Sequence, residues 1–530
     1  MENSCTYIPY KETGYFSKIV TDYLENAETL KSFYQERPNI EGIKNAINAR
    51  KNFNTDRNIL VEVLRNQYSN IQLNQIQETY LDLLLNENTF TITTAHQPNI
   101  FTGPLYFIYK ILHAIKLADE LKLQLPEYNF VPVYYMGSED ADLEELGQIT
   151  LDGKKLSWKT NQTGAVGRMV VDDSLVKLID EIKGQITVNE YGIQFCELFY
   201  RIYSPGKTIQ TATLELVNEL FAKYGLIVLI PDNKVLKSLF TPIIKKEIKE
   251  QFSNKILQNT IFELNKNYKV QAKGREINLF YLKDNYRERI EIQQDKFFIN
   301  SLNLSFTLNE IFKEAEEYPE RFSPNVILRG AFQELILPNI AFIGGGGELA
   351  YWLELKNIFE SVGIPYPVLL LRNSFLLIDN VSKLLIDKSN FSVTDIFKSK
   401  INLFNDFVKI HSENKISLTE PLENIKAEFE QIKSIVSKVD KTLVDHVAAL
   451  EKKLHINTIN LENKLFKVEK RKFAEQLNQI EKLKTTLFPN ENLQERVENF
   501  AVLYSTMGNS LIDNLYFYSK GLDQMFSIIK

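Results

Sequence analysis

The sequence predicts an α/β protein: an open, mostly parallel sheet broken by insertions, followed by a C-terminal α-helical coiled-coil arm. Three observations carry this. Short apolar runs of strand length (TFTITTAH, FVPVYYMG, LIVLIPD, IAFIGGGG, PYPVLLLRN) alternate with segments of helical periodicity. Several of these runs are apolar on both faces, as strands buried in a parallel sheet are. From Pro421 to Phe488 there is no internal Pro or Gly, and apolar residues recur at three- and four-residue spacing.

In chain order, residues 1–88 read as polar helices that pack on the core. Residues 89–385 hold the sheet. TFTITTAH, then PLYFIYKILHAIKLADELK, then FVPVYYMGSED make strand, helix and strand, a βαβ unit. The stretch from Ile209 to Gly225 reads as a helix stopped by glycine, and the strand LIVLIPD follows it. IAFIGGGG then leads into ELAYWLELKNIFESVG and the strand PYPVLLLRN. The Lys- and Asn-rich stretches at about 151–208 and 250–325 read as insertions into this frame. Residues 386–488 form the arm, with apolar positions such as Ile425, Phe429, Ile432, Val436 and Val439 and slips near Leu443 and Asn460. The broken heptads predict a long helix, reaching on the order of 100 Å if continuous, or an antiparallel coiled coil. Residues 489–530 read as a helical segment returning to the core.

The 530 residues are 44% hydrophobic and 25% charged, with net charge −6. Binding nucleic acid draws on a basic excess that neutralises phosphates, so no nucleic-acid partner is expected. The two cysteines, Cys5 and Cys196, lie in no CxxC and near no His, which predicts free structural thiols in a reducing compartment. The start MENSCTYIPYKETGYF has no basic-then-apolar leader, and no apolar run reaches the roughly 20 residues of a membrane helix. A soluble, cytoplasmic protein without a membrane partner is expected.

Three clusters could carry chemistry. In TTAHQPNIFTGPLYFIYK, a strand end meets a helix start, where ligands bind in open α/β sheets. His96 could serve as acid, base or anion contact, and Gln97, Asn99, Thr102, Gly103 and Tyr106 as substrate contacts. The competing reading is a capped turn with Thr102 as N-cap and Pro104 at the first helical position. In MGSEDADLEELGQ, Ser138 and Glu139 are candidate binding residues and Asp140 and Asp142 candidate bases, if burial and like charges raise their pKa values. Glu144 and Glu145 suit a helix N-terminus. No His or Cys lies close in sequence, so no metal is expected. In LRGAFQELILPNIAFIGGGGELAYW, the amides of Gly344, Gly345, Gly346 and Gly347 could approach a phosphate or carboxylate, yet neither GxGxxG nor GxxxxGK[ST] is present. Glu348, Tyr351 and Trp352 follow, flanked by Arg329 and Arg372, which could hold carboxylates or form ion pairs.

TAHQPNIFTGPLYFIYK, VPVYYMGSEDADLEE, LRGAFQELILPNIAFIGGGGELAYWLELKNIFE and FPNENLQERVENF, in this order over nearly the whole chain, resemble the cysteine-adding enzyme family of bacillithiol biosynthesis. The resemblance implies a Rossmann-like core, a coiled coil and a homodimer formed through that coil. It also implies a ligase joining cysteine to the amino group of glucosaminyl malate. Two positions depart from the family pattern. Many members carry Gly-Gln-Gln where this chain has Ala95-His96-Gln97, and His-Asp where it has Ala141-Asp142. Joining a carboxylate to an amine needs activation, and the resemblance raises an adenine nucleotide (ATP or ADP), with Arg496, Tyr504 and Asn509 as its expected wall. The readings set against a ligase are a synthetase-like RNA-binding protein that uses its arm and a non-catalytic coiled-coil scaffold.

Overall fold

The computed structural model describes residues 4–270, 273–414 and 417–530. The first three residues of the N-terminal segment, two in the second insertion and two in the arm lie outside the described residues. The chain divides into two compact units, Met1–Leu376 with Asn492–Ile529, and Leu377–Glu491.

The first unit is built on five parallel strands: β1 (Thr89–His96), β2 (Asn129–Met136), β3 (Ile227–Leu229), β4 (Asn339–Gly344) and β5 (Val368–Leu371). Their order across the sheet is β5-β4-β1-β2-β3. From the other edge this is 3-2-1-4-5, the Rossmann order. The chain winds outward from β1 in both directions, so a crevice opens beyond the carboxyl ends of β1 and β4.

Helix α1 (Tyr106–Gln124) crosses from β1 to β2 and is buried on nearly every side. Three further helices matter for the site: α2 (Lys234–Glu250) after β3, α3 (Val326–Ile336) before β4 and α4 (Gly346–Trp352) after it. Three of the four threonines of β1 are tolerated in a buried strand because they are hydrogen-bonded. Thr91 and Thr93 donate to Asn339 Oδ1 at 3.2 and 2.8 Å, and Thr94 donates to the Ile343 carbonyl at 2.9 Å.

Both insertions are folded. Residues 148–157 form a hairpin, followed by helices Asp173–Ile186 and Gly192–Ile202. Cys196 is a small buried side chain of the latter helix. The second insertion carries a hairpin, Leu279–Lys283 with Tyr286–Arg289, and a three-stranded antiparallel sheet ending at Phe306. The terminal segments are not purely helical: Cys5–Ile8 pairs antiparallel with Phe526–Ile529. Four residues are too few to set a period of two against a helical one, and the partner strand lies at the far end of the chain.

In the second unit, α5 (Thr419–Val439) and α6 (Val444–Lys470) fold back as an antiparallel pair. The slip near Leu443 is the turn: Asp440 ends α5 and accepts the Thr442 amide at 2.9 Å. Lys433 pairs across it with Glu451 at 2.5 Å. The slip near Asn460 breaks nothing, since α6 runs through it. Among the described residues no helix is long and apolar enough to cross a membrane.

Candidate active site

The residues that follow four strands converge on the crevice. β1 delivers His96 and Gln97, β2 delivers Gly137 and Asp140, β4 delivers Gly345–Gly347, and β5 delivers Arg372. They line a hollow of about 770 Å³ together with Tyr106 and Lys110 of α1, Arg329 of α3, Glu348 and Tyr351 of α4, and Arg496. A second hollow of about 900 Å³ adjoins it, bounded by Asp140 to Glu145 and by the hairpin and sheet of the second insertion. Gln97, Asp140, Glu145, Phe280 and Arg287 line both.

The first hollow is cationic, with seven basic side chains against three carboxylates. Some are neutralised locally. Arg329 holds Asp140 bidentately, with one bond of 2.8 Å. Lys110 pairs with Glu348 and donates to the Ala95 carbonyl at 2.8 Å. Arg372 pairs with the buried Glu495 at 2.7 Å. Lys273, Arg275 and Arg496 add charge without a carboxylate ion pair among the described residues.

His96 sits in this wall, 9% exposed, against the rings of Tyr106 and Phe107, and its Nε2 has no hydrogen-bond partner among the described residues. Burial, reinforced by Lys110 and Arg372, drives its pKa well below the usual 6.5, so the ring is neutral. With its own proton on Nδ1, the ring can accept a hydrogen bond from a ligand at Nε2.

The acidic cluster differs from expectation. Burial pushes the Asp140 carboxyl up, but Arg329, Arg287 and Gln97 outweigh it and hold it below 3.8, which is unsuitable for a base. Asp142 is exposed, and its carboxylate caps the short helix Leu143–Leu146, accepting the Glu145 amide at 3.1 Å. Glu145 is the carboxyl pushed up, by burial and by the charges of Asp142 and Asp140, and it stands where the hollows meet. Glu139 lines neither hollow: it is buried against Lys237 of α2, which also holds Asp232 at 3.1 Å.

Other expected contacts are elsewhere. Ser138 is fully buried and lines neither hollow, with Gly167 packed so closely that a Cβ there would lie 2.5 Å from the Ser138 carbonyl oxygen. Asn99, Thr102 and Gly103 form a tight buried bend. Thr102 and Gly103 have φ of 71° and 63°, and Asn499 donates to the Gly103 carbonyl at 2.5 Å. Thr102 is therefore not the N-cap, and helix α1 begins at Tyr106. Gly344 closes β4, while Gly345 to Gly347 face the hollow, and a Cβ on Gly347 would meet nothing within 4 Å. Glu348 turns back on its own helix and accepts the Gly345 amide at 2.8 Å. Trp352 is core, stacked on Phe342 at 4.1 Å.

The expected nucleotide wall is not assembled. Arg496 lines the first hollow, where its charge suits a phosphate, but Tyr504 bonds Asn509 at 2.9 Å and packs on Phe195, and neither lines that hollow.

The family model described as the N-terminal Rossmann-like domain of bacillithiol biosynthesis BshC matches residues 3–373, and that of the BshC C-terminal coiled-coil domain matches residues 375–530. The chain belongs to the BshC family. Curated relatives named "Putative cysteine ligase BshC" agree. Those from Flavobacterium psychrophilum and Flavobacterium johnsoniae are 43% and 42% identical, over 99% and 98% of this chain and 99% of each relative. One from Christiangramia forsetii is 37% identical over the full chain and 99% of its own.

For this BshC-family chain, sequence reasoning missed Lys110, Glu145, Lys273, Arg275, Arg287 and Glu495. Lys110 ends TAHQPNIFTGPLYFIYK, a lysine among apolar neighbours on a buried helix, and that placement was the available signal. Arg275 and Arg287 sit in an insertion whose polar composition gives no sign that it covers the site.

Proposed function

We propose that the protein is a cysteine ligase that joins L-cysteine to the amino group of glucosaminyl malate, yielding the thiol bacillithiol. The observation that carries this is the cation excess of the first hollow at the Rossmann switch point, which suits the two carboxylates of a malate-bearing acceptor. His96 offers its neutral Nε2 as acceptor to a substrate hydroxyl or amine, a task a glutamine oxygen also performs, in keeping with the Gln that many family members carry there. Glu145, with its raised pKa where the hollows meet, takes the proton that the attacking amine must lose. Arg496, Lys273 and Arg275 would hold phosphate oxygens of an activating nucleotide.

The arm supports a homodimer. Leu450, Leu454, Leu461 and Leu465 of α6 are all more than a third exposed, an apolar row that a second copy would cover. In cells lacking the protein, thiol profiling is expected to show bacillithiol lost and glucosaminyl malate accumulated, both reversed by the wild-type gene. Normal bacillithiol in such cells overturns the reading.

A further inference from the structure

The two adjoining hollows carry opposite charge. Against the cationic first hollow, the second has six carboxylates and two guanidiniums on its wall. A dianion is repelled there, whereas a zwitterion with an exposed ammonium is welcome. An acidic wall alone specifies nothing, but one side chain in it does.

Arg287 stands on the hairpin strand Tyr286–Arg289 and lines both hollows. Its side chain is 9% exposed. The guanidinium lies 3.7 Å over the Phe280 ring, which covers one face. Among the described residues its one carboxylate neighbour in an ion pair is Asp140, at 3.6 Å, and that carboxylate is already held bidentately by Arg329. Its Nε is buried with no hydrogen-bond acceptor among the described residues. One carboxylate thus serves two guanidiniums, and Arg287 is the one left short. Burial drags its pKa down to about 10, with Arg329 adding to the effect against Asp140 and Glu139. A buried guanidinium so poorly matched gains several charge-assisted hydrogen bonds when an anion arrives.

We propose that the second hollow is the subsite for the amino-acid substrate, with Arg287 anchoring its α-carboxylate and the surrounding carboxylates receiving its ammonium. This rests on the ligase reading and assigns the donor's place within it. The amino acid lies on the acidic side, the dicarboxylate acceptor on the cationic side, and the two meet at Glu145. Phe280 fixes the guanidinium plane, so the carboxylate approaches edge-on, in the fork geometry that lysine cannot reproduce.

The test is calorimetric titration of the full-length protein with L-cysteine, with cysteamine (no carboxylate), with other free L-amino acids and with malate. In the wild type, L-cysteine is expected to bind about tenfold to a hundredfold more tightly than cysteamine, the scale of hydrogen bonds to a charged group. Arg287→Gln is expected to bring L-cysteine down to the level of cysteamine while cysteamine itself is unchanged. Arg287→Lys, which keeps the charge and guards against a folding defect, is expected to recover only part of the difference. Malate binding within about threefold of wild type in both variants shows the first hollow intact. The proposal is overturned if L-cysteine and cysteamine bind the wild type equally, or if Arg287→Gln binds L-cysteine as wild type does. Binding of another amino acid that depends on Arg287, with L-cysteine not bound, leaves the subsite standing and removes the cysteine-ligase reading. If no amino acid binds, both fall.

Discussion

Asp142 and Glu145 are joined by one hydrogen bond and both are exposed, yet Asp142 lines only the second hollow and Glu145 lines both. Asp142 caps a helix in water, while Glu145 is crowded by two neighbouring carboxylates at the mouth of two hollows. Sequence shows five acids in seven residues and cannot say which of them will stand where the two hollows meet. Asp142→Asn is expected to leave kcat within about threefold, because asparagine caps as well as aspartate. Glu145→Gln is expected to lower kcat by about a hundredfold and to remove the acid limb of the pH–rate profile, the mark of a lost general base. The reverse pattern in steady-state assays would return the base to Asp142. His96→Gln is expected to keep kcat within a few-fold, and His96→Leu to raise KM, because only the acceptor atom matters. A collapse of kcat in His96→Gln would assign the proton to the histidine.

At the scale of elements, what was legible is what local chemistry enforces. The five strands of the sheet were readable because strands buried on both faces are continuous apolar runs, and β1 betrayed itself by β-branched residues. Pairings that join distant segments were not readable, such as Cys5–Ile8 with Phe526–Ile529, or Arg372 with Glu495. Arg329 and Asp140 are such a link, tying the end of β2 to α3 with side chains 21% and 16% exposed. Arg329→Ala removes both short bonds to Asp140 and leaves it the longer pair with Arg287, and is expected to cost about 2 kcal/mol, read from the denaturant midpoint. Asp140→Asn/Arg329→Met, which removes both charges, is expected to cost less. In the arm, the heptad slip marked the turn between α5 and α6, because an antiparallel hairpin must restart its seam there. Leu450→Asp with Leu454→Asp places charges on the exposed apolar row and is expected to yield monomers. Light scattering that still reports the wild-type mass would place the dimer interface elsewhere.

The first unit as a whole is pinned by a buried histidine that acid should loosen. His113 of α1 is fully buried. Its Nδ1 accepts the Asn373 amide at 3.1 Å and its Nε2 lies 2.7 Å from the Gly521 carbonyl oxygen, so one ring fastens the central helix to the end of β5 and to the C-terminal segment. These partners require the neutral ring with its proton on Nε2. Burial, aided by Arg372 and opposed by the Gly521 carbonyl, pulls the pKa from 6.5 down to about 4. His96 is depressed in the same direction. The folded pKa lies below the unfolded one, so between the two the unfolded chain binds a proton that the folded chain refuses. The stabilisation is complete above pH 6.5 and is lost as the pH falls toward 4. By about pH 5 the refused proton at His113 should cost about 2 kcal/mol, at roughly 1.4 kcal/mol per pH unit. Urea unfolding at pH 7 and pH 5 is expected to show this loss in the wild type and to show it reduced by about 2 kcal/mol in His113→Gln, whatever that substitution does to stability at pH 7. Equal losses in the two proteins would mean that the ring at position 113 is not what the acid attacks.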